Sequence, residues 1–273
     1  MFKLKQINTF LALIFITNCY SQIKLKVYEE NVANGYTIYA DNEELCPVSL
    51  KIEFQLNNLT STFDNNKIYV IPPMSKKYTL TNLKTISNNA YKFSFKTLVN
   101  YGDNNLSLSK IPEFIYNLPF SNNKSFQLYQ GYNGLITHQN ENSLDFTMPI
   151  GTEILASRSG IVIKIEEKFN QNCAEKLCAA YNNFILIYHS DGTFSRYVHL
   201  KQNGVLVNVG DQVTENQLIG YSGNVGYSDG PHLHFVVYLQ KLNNVETIKT
   251  KFKINDGLIS KLLIEKEIYT RNY

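Results

Sequence analysis

Residues 230–238 read Gly-Pro-His-Leu-His-Phe-Val-Val-Tyr and predict a β-strand with two different faces. Side chains two positions apart on a strand point the same way, so His232 and His234 share one face. Leu233 and Phe235 turn to the other face, into a core. Two neighbouring imidazoles can both bind a metal ion, or one can bind while the other moves protons. At this point a pair of surface histidines is the alternative interpretation.

His138 and Asp145 form a second candidate pair, in the stretch His-Gln-Asn-Glu-Asn-Ser-Leu-Asp. A continuous strand would point the two side chains in opposite directions, but the turn-like residues between them allow a loop to bring them together. A histidine and an aspartate that converge with one more histidine make a three-ligand zinc site with an open position for water. Taken separately, His138 could be an ordinary loop histidine and Asp145 could cap a turn.

The other histidines are His189 and His199. The run Tyr197-Val-His-Leu200 predicts a strand on which Tyr197 and His199 share a face, and a third imidazole near the site could donate to an oxyanion. His189 precedes Ser-Asp-Gly, a sequence typical of a type I′ hairpin turn. We therefore expect His189 at an exposed turn and assign it no role.

Several short blocks follow one another in a fixed order through residues 130–240. In chain order they are Asp145-Phe-x-Met-Pro-x-Gly-Thr152, Gly160-Ile-Val162, Tyr197-x-His-Leu200, Gly210-Asp-x-Val213, Ile219-Gly220, Ser222-Gly-Asn-x-Gly226 and Ser228-x-Gly-Pro-His-Leu-His-Phe235. This series resembles the lysostaphin/LytM-type zinc metallopeptidases. The resemblance is far more specific than a single His-x-His, and it does not include the amino-terminal part of the chain.

The resemblance implies a role for each candidate residue. His138, Asp145 and His234 would bind one Zn²⁺ per chain, His232 would be the general base on the metal-bound water, and His199 would support the developing oxyanion. In many members a shorter segment separates the first histidine from the aspartate, but a longer loop is compatible with the same geometry. Since all of these positions are filled, the resemblance implies an active enzyme.

The resemblance also implies a substrate, the peptide part of peptidoglycan. The resulting hypothesis is an exported zinc metalloendopeptidase that hydrolyses cross-link or bridge peptides. The small-residue loop 223–230 would shape the choice of bond. Tyr132, Tyr221 and Tyr227 flank the motifs and either line a substrate groove or pack as ordinary aromatics.

Two other functions are compatible with the same fold. The first is a non-catalytic cell-wall-binding or regulatory module that retains the peptidase fold, which the complete set of histidines and aspartate disfavours. The second is a secreted protease that acts on ordinary proteins. A purely structural zinc site is disfavoured, because such sites are usually closed by four protein ligands.

The first residues of the chain read as an export signal. Lys3 and Lys5 precede an apolar run at 10–16, and small residues then lead to a cleavage position after Ser21. The run is too short to span a bilayer, and we expect no transmembrane span in the mature chain. The alternative is a lipoprotein signal with Cys19 as the lipidated residue. Both place the protein in the periplasm, the cell envelope or the medium.

Export makes a disulfide possible. Cys173 and Cys178 lie in one loop and either close a small ring or remain two free thiols, and Cys46 is expected to be a small buried hydrophobe. The formal net charge of the 273 residues is only +3, so we expect no nucleic-acid partner.

The whole sequence predicts an all-β protein. Alternating segments such as 48–54, separated by turn signals, predict an antiparallel β-sandwich-like accessory domain at residues 22–118. The glycine-rich remainder, residues 119–273, predicts a compact β-rich LytM-like peptidase domain. It ends in a packing segment with an amphipathic helical pattern around 258–263.

Overall fold

The computed structural model describes residues 23–273, and these are built almost entirely of β-strands, which confirms the predicted all-β class. The helical elements of this part are two 3₁₀ turns, Leu108–Lys110 and Lys176–Tyr181. Within residues 23–273 no helix is long and apolar enough to cross a membrane. The predicted signal peptide, residues 1–21 with Cys19, lies outside the described residues.

Two antiparallel sheets, here called the amino-terminal sheets, precede the histidine motifs. Their strands are β1 (Leu25–Val32), β2 (Gly35–Asn42), β3 (Val48–Asn57), β4 (Leu59–Ser61), β5 (Ile68–Ile71), β6 (Ser75–Thr85) and β7 (Lys92–Tyr101). The strand orders are β1-β2-β6-β4 and β5-β3-β7. The alternation predicted for β3 is present, since Leu50, Ile52 and Phe54 are buried and Glu53 is exposed. Both sheets contribute to one apolar cluster. The sandwich arrangement and the domain boundaries stay predictions.

The rest of the chain is organised around a nine-stranded sheet. In chain order, the first strands of this part are β8 (Ile115–Tyr116), β9 (Lys124–Gln130), β10 (Ser143–Thr147), β11 (Glu153–Leu155), β12 (Gly160–Glu166), β13 (Asn172–Cys173), β14 (Phe184–Tyr188) and β15 (Phe194–Val198). They are followed by β16 (Leu200–Val205), β17 (Gln212–Val213), β18 (Leu218–Ser222), β19 (Gly226–Tyr227), β20 (His232–Gln240), β21 (Val245–Thr247), β22 (Lys251–Ile254), β23 (Ile259–Leu262) and β24 (Ile268–Arg271).

The nine-stranded sheet runs β17-β12-β14-β15-β20-β10-β9-β24, with β21 paired to β20. Smaller sheets join β11-β18-β16, β13-β19 and β23-β22-β8. One face of the large sheet is covered by the main apolar core, which includes Leu233, Phe235 and Tyr197. The strand alternation predicted from residues 230–238 is therefore confirmed, and it leaves the two histidines of β20 on the opposite face.

That opposite face has two parts. Near one end of β20, Phe194 and Tyr238 join the buried Cys46 in a cluster that connects the large sheet to the amino-terminal sheets. Hydrogen bonds reinforce the contact, since Asn100 Nδ2 donates to Lys241 O at 3.1 Å. The other end of the same face carries the histidines. The amino-terminal sheets therefore pack beside the site on the same surface.

The helical expectation for the carboxyl-terminal segment is wrong. Residues 259–262 form β23 and residues 268–271 form β24, which pairs with β9 along the edge of the large sheet. Gly257, at φ 82°, turns the chain between β22 and β23 in a conformation that favours glycine. Hairpin pairing with β22, which itself pairs with the distant β8, overrode the local helical pattern. The expected packing role is present, since Leu263 is buried.

Candidate metal centre

The register between two neighbouring strands places Asp145 beside His234. Asp145 on β10 is paired directly with His234 on β20. Side chains of directly opposed residues lie on the same face of a sheet, so the carboxylate and the imidazole meet. Asp145 Oδ1 lies 2.9 Å from His234 Nδ1.

The loop between β9 and β10 returns His138 to the same carboxylate. His138 Nε2 lies 3.1 Å from Asp145 Oδ2, and the His138 ring is 1% exposed. The predicted convergence of this pair is therefore present in the fold. Gln130, at the end of β9, holds the loop in place: its Oε1 accepts from Thr137 N at 2.9 Å, and its Nε2 donates to Asp145 Oδ2 at 3.0 Å.

These three side chains fit a metal ion. Each of the three offers one ligand atom, and these atoms lie within 4.8 Å of one another in His138, Asp145 and His234. His138 Nδ1 lies 3.1 Å from Gly131 O, so in the neutral ring the lone pair is on Nε2. That Nε2 is buried and, within residues 23–273, has no hydrogen bond of good geometry. A buried nitrogen lone pair beside a carboxylate and a second imidazole is a donor set suited to a divalent transition metal.

The electrostatics of the group favour an ionised aspartate. Burial alone would raise the pKa of Asp145, but the imidazoles of His138 and His234 beside its two oxygens hold that pKa well below its usual value. Burial lowers the pKa of His138, but the adjacent carboxylate of Asp145 outweighs this and leaves the pKa raised. The carboxylate is thus ready to act as a ligand without losing a proton first.

His232 lies on the same face as His234, next to the three donors. Its Nδ1 is 2.8 Å from Gly230 O, and its Nε2 is 3.8 Å from Asp145 Oδ1. When Nδ1–H donates to the carbonyl of Gly230, Nε2 of the neutral ring carries the lone pair. The preceding turn therefore positions His232 so that a basic nitrogen lies beside the candidate metal ligands.

His199 reaches the site through a break in strand alternation. Val198 pairs with His234 on the site face, so the next residue of a regular strand would point into the core. His199 instead adopts φ 65°, and its ring centroid lies 4.5 Å from that of His232. Tyr197 points the other way, into the core, where its hydroxyl accepts from Ser157 N. The prediction that Tyr197 and His199 share a face is wrong.

The hydrogen bonds of His199 limit its chemistry. Its Nδ1 lies 2.8 Å from Val225 O, so the neutral ring presents Nε2 as an acceptor. Burial, followed by the nearby His232 and His234, lowers the pKa of His199 to about 3. Donation from Nε2 to an oxyanion would require a second proton on this ring.

His189 does not lie at an exposed turn. It is fully buried, with Nδ1 2.8 Å from Ser159 O and Nε2 3.0 Å from Ser195 Oγ. The expectation of exposure is wrong, because the turn that follows His189 folds onto a neighbouring strand end. His189 is not among the residues that line the cavity at the histidine cluster.

A cavity of about 650 Å³ opens above the cluster. Its lining includes the His138 loop and the segment around the Cys173–Cys178 disulfide. Tyr227 lines this cavity. Tyr132 packs against the core, with its hydroxyl donating to Thr250 O at 2.6 Å, and neither it nor Tyr221 lines the cavity.

Two polar residues of the site were missed at the sequence level. Gln130 supports both Asp145 and the His138 loop, and Arg196 lines the cavity from β15. Gln130 directly precedes Gly131, and this position before a predicted turn was only a weak indication of a role in the site. Arg196 lies two positions before Val198 on a predicted strand, so its face could have been inferred once the strand register was known.

Comparison with known proteins shows what the segment around this site is similar to. Residues 139–246 match the family described as Peptidase family M23. An uncharacterized metalloprotease of Buchnera aphidicola is 39% identical over 40% of this chain and 26% of its own length. The peptidoglycan DD-endopeptidase ShyA of Vibrio cholerae is 38% identical over 34% of this chain and 19% of its own length. The catalytic domain of lysostaphin from Staphylococcus simulans is 31% identical, covering 45% of this chain and 87% of that chain, with a TM-score of 0.33.

Residues 139–246 therefore match peptidase family M23, and this match confirms the resemblance to the lysostaphin/LytM-type peptidases seen in the motifs. His138 directly precedes the matched residues, and the other candidate ligands lie within them. The matched segments make up only about a quarter or less of the two curated relatives.

Proposed function

We propose that this protein is an exported zinc metalloendopeptidase that hydrolyses peptide bonds of peptidoglycan. The observation that carries the proposal is the convergence of His138, Asp145 and His234 around a buried histidine nitrogen that lacks a hydrogen bond. Three protein ligands leave an open position, which is typical of catalytic rather than structural zinc. His232 lies beside this group with a free lone pair.

His138, Asp145 and His234 would hold the metal ion. The bound ion would supply Lewis-acid polarisation of the scissile carbonyl and would make water more acidic. His232 Nε2 accepts the proton that the attacking water loses, because the carbonyl of Gly230 retains the proton on Nδ1. The same nitrogen then returns a proton to the leaving amine. No serine or cysteine nucleophile is needed.

His199 is assigned a place in the same reaction. A role as donor to the oxyanion needs protons on both ring nitrogens, and burial opposes that charged form. In its neutral form, Nε2 of His199 accepts a hydrogen bond instead and orients the attacking water. Holding the attacking water in a reactive orientation increases the rate, because less orientational freedom is lost in the reaction step.

The substrate and the compartment rest on different observations. The relatives include a peptidoglycan DD-endopeptidase, and the endopeptidase reaction suits an open cleft rather than a closed pocket. Export is supported by the basic and apolar start of the sequence and by the Cys173–Cys178 disulfide, since disulfides persist in oxidising compartments.

The test is mass spectrometry of peptidoglycan that has been treated with the zinc-loaded protein. We expect new peptide termini, which a chelator abolishes. His232→Ala should retain bound zinc but lose about 10²- to 10⁴-fold in turnover. His234→Ala and Asp145→Ala should lose the zinc itself.

The matched control is His189→Gln, which changes a histidine outside the cleft and should keep both zinc and turnover at neutral pH. Wild-type activity in His232→Ala would remove the base assignment. Zinc binding without hydrolysis of peptidoglycan would favour the non-catalytic module, and cleavage of casein in preference to peptidoglycan would favour a general secreted protease.

A further inference from the structure

Arg196 lies on the site face of the large sheet, one step along from the metal ligands. On β15 and β20, Val198 pairs with His234 and Arg196 pairs with Val236. Residues two apart on a strand are separated by about 7 Å and point to the same side. Arg196 lines the large cavity and also a neighbouring cavity of about 400 Å³ that continues along β20.

The guanidinium of Arg196 has no partner in the part of the chain that the structure describes. It forms no ion pair, and its Nε is buried without a hydrogen bond. Arg158 pairs with Asp191 at 2.7 Å. Arg271 also has a buried Nε without a hydrogen bond, but its terminal nitrogens donate to Phe120 O at 2.8 Å and to Asn216 Oδ1 at 2.6 Å. Among the arginines that the structure describes, Arg196 is the one whose side chain forms neither a hydrogen bond nor an ion pair.

The surroundings of Arg196 hold it in place without neutralising it. The ring of Phe184 covers one side of the guanidinium, with 4.2 Å between the carbon of the guanidinium and the ring centroid. Burial lowers the pKa of Arg196, and Glu141, which lines the same cavity, forms no ion pair with it. Glu141 is engaged elsewhere, because it accepts a hydrogen bond from Ser143 Oγ.

A partly buried cation without a partner is unfavourable unless a ligand supplies the missing negative charge and hydrogen bonds. The planar fork of an arginine matches a carboxylate with two parallel hydrogen bonds, and stacking on an aromatic ring orients that fork. The nearby Glu141 repels an anion, so a ligand would approach from the side of Val236 and Tyr238. The chemistry of this position is therefore that of a carboxylate subsite at the edge of the catalytic cleft.

Building on the function proposed above, we propose that Arg196 binds a carboxylate of the substrate peptide, at a position about 7 Å along the strands from the candidate metal ligand His234. This contact makes Arg196 a specificity-determining residue. It selects peptides that carry a carboxylate on a residue next to the cleaved bond over uncharged peptides such as glycine bridges.

The test uses two blocked peptides built around the bond that the protein cleaves in peptidoglycan. One retains the carboxylate next to that bond, and the other carries a carboxamide instead. For the zinc-loaded wild-type protein we expect kcat/KM to be about 10- to 100-fold higher for the carboxylate peptide. In Arg196→Gln this ratio should fall to about 1, and in Arg196→Lys it should be intermediate, since lysine keeps the charge without the fork.

The matched control is Lys164→Gln, because Lys164 Nζ lies 6.0 Å from the same Phe184 ring but does not line either cavity. It should keep the wild-type ratio. The proposal is overturned if Arg196→Gln retains the ratio, if Lys164→Gln loses it equally, or if the wild-type protein does not distinguish the two peptides. The zinc content and the thermal unfolding of each variant are measured to check that its metal site and its fold are intact.

Failure of the proposed function is a separate outcome. If the wild-type protein cleaves no peptidoglycan, binding is measured by NMR titration with acetyl-Ala-Glu-amide and acetyl-Ala-Gln-amide. Preferential binding of the glutamyl peptide that Arg196→Gln abolishes supports the carboxylate subsite without any catalysis. Equal binding of both peptides rejects it.

Discussion

His189 is the clearest case of a residue whose environment controls its charge. It is fully buried, and both ring nitrogens are within hydrogen-bond distance of oxygen atoms, Ser159 O and Ser195 Oγ. Burial lowers its pKa to about 4, well below the ordinary value of 6.5. In the folded protein the ring therefore stays neutral at pH values where the unfolded chain already binds a proton.

This difference predicts a loss of stability in mild acid. Because the folded pKa is lower, the unfolded state binds more protons between pH 6.5 and about 4, and the free energy of unfolding falls as pH falls through that window. His189 alone should account for roughly 2 kcal/mol between neutral pH and about pH 4.5. Urea titrations at both pH values measure it.

The variant His189→Gln separates this contribution from that of other groups. A glutamine can donate and accept one hydrogen bond each but cannot titrate. The variant should be less stable than the wild type at neutral pH and should lose less stability on acidification. An equal loss in both proteins would contradict the assignment to His189.

At the residue scale, the sequence predicted the positions of the candidate ligands better than those of the residues that support them. His232 and His234 followed from strand alternation, and the meeting of His138 with Asp145 followed from the turn-like segment between them. The direction of the His199 side chain could not be predicted from strand alternation, because it depends on the left-handed backbone conformation of His199 itself. Gln130 and Arg196 carry no local motif, and their importance comes only from neighbours on other strands.

At the scale of elements, the disulfide segment forms part of the wall of the cleft. Cys173 and Cys178 close a short ring next to the 3₁₀ turn Lys176–Tyr181. Asn182 then accepts a hydrogen bond from Tyr227 N at 2.9 Å, which ties this wall to the chain that leads into His232. The segment therefore connects the shape of the cleft to the position of the proposed base.

Removing the disulfide should affect substrate binding more than global stability. In a Cys173→Ser, Cys178→Ser double variant we expect the free energy of unfolding to fall by at most about 2 kcal/mol, because the closed loop is short. A mobile wall must be ordered again on binding, so KM for peptidoglycan fragments should rise, with a smaller change in kcat. Steady-state kinetics and urea unfolding measure the two effects.

A reductant is the matched control for this prediction. It should raise KM of the wild-type protein and leave the double variant unchanged. If the variant unfolds far more readily while KM is unchanged, the ring is a stability element rather than part of the cleft wall.

The carboxyl-terminal segment shows the limit of local patterns at this scale. Residues around 258–263 have helical spacing of apolar residues, yet they form β23. β23 pairs with the preceding strand β22, which in turn pairs with the distant β8, and short periodicity does not report such pairing. β3 was easier to predict, because strict alternation over residues 48–54 has few helical alternatives.

At the scale of the whole molecule, the amino-terminal sheets and the site occupy one surface of the large sheet. Cys46 is at the centre of their contact, buried with Phe194 and Tyr238. The residues that line the two cavities at the site come from the chain after β8. The amino-terminal sheets therefore flank the cleft in this arrangement and leave it open.

The reactivity of Cys46 reports on that contact. Its side chain is 0% exposed and burial raises its pKa to about 12, so it should resist alkylation in the folded protein. Iodoacetamide treatment followed by peptide mapping measures modification at this cysteine specifically. We expect modification of Cys46 only under conditions that also unfold the protein.

A comparison across urea concentrations completes this experiment. If Cys46 is modified while peptidoglycan cleavage is still intact, the amino-terminal sheets separate from the large sheet without global unfolding. That result would contradict a permanent contact.

The sequence by itself determined the all-β class, the two faces of β20 and the residues capable of binding a metal ion, because alternation and side-chain chemistry are local properties. Only the tertiary structure decided which of these residues meet. The register of β10 against β20 placed Asp145 beside His234, and the packing of distant strands left Arg196 without a partner. Such contacts depend on strand pairing between residues far apart in the chain, which no local pattern encodes.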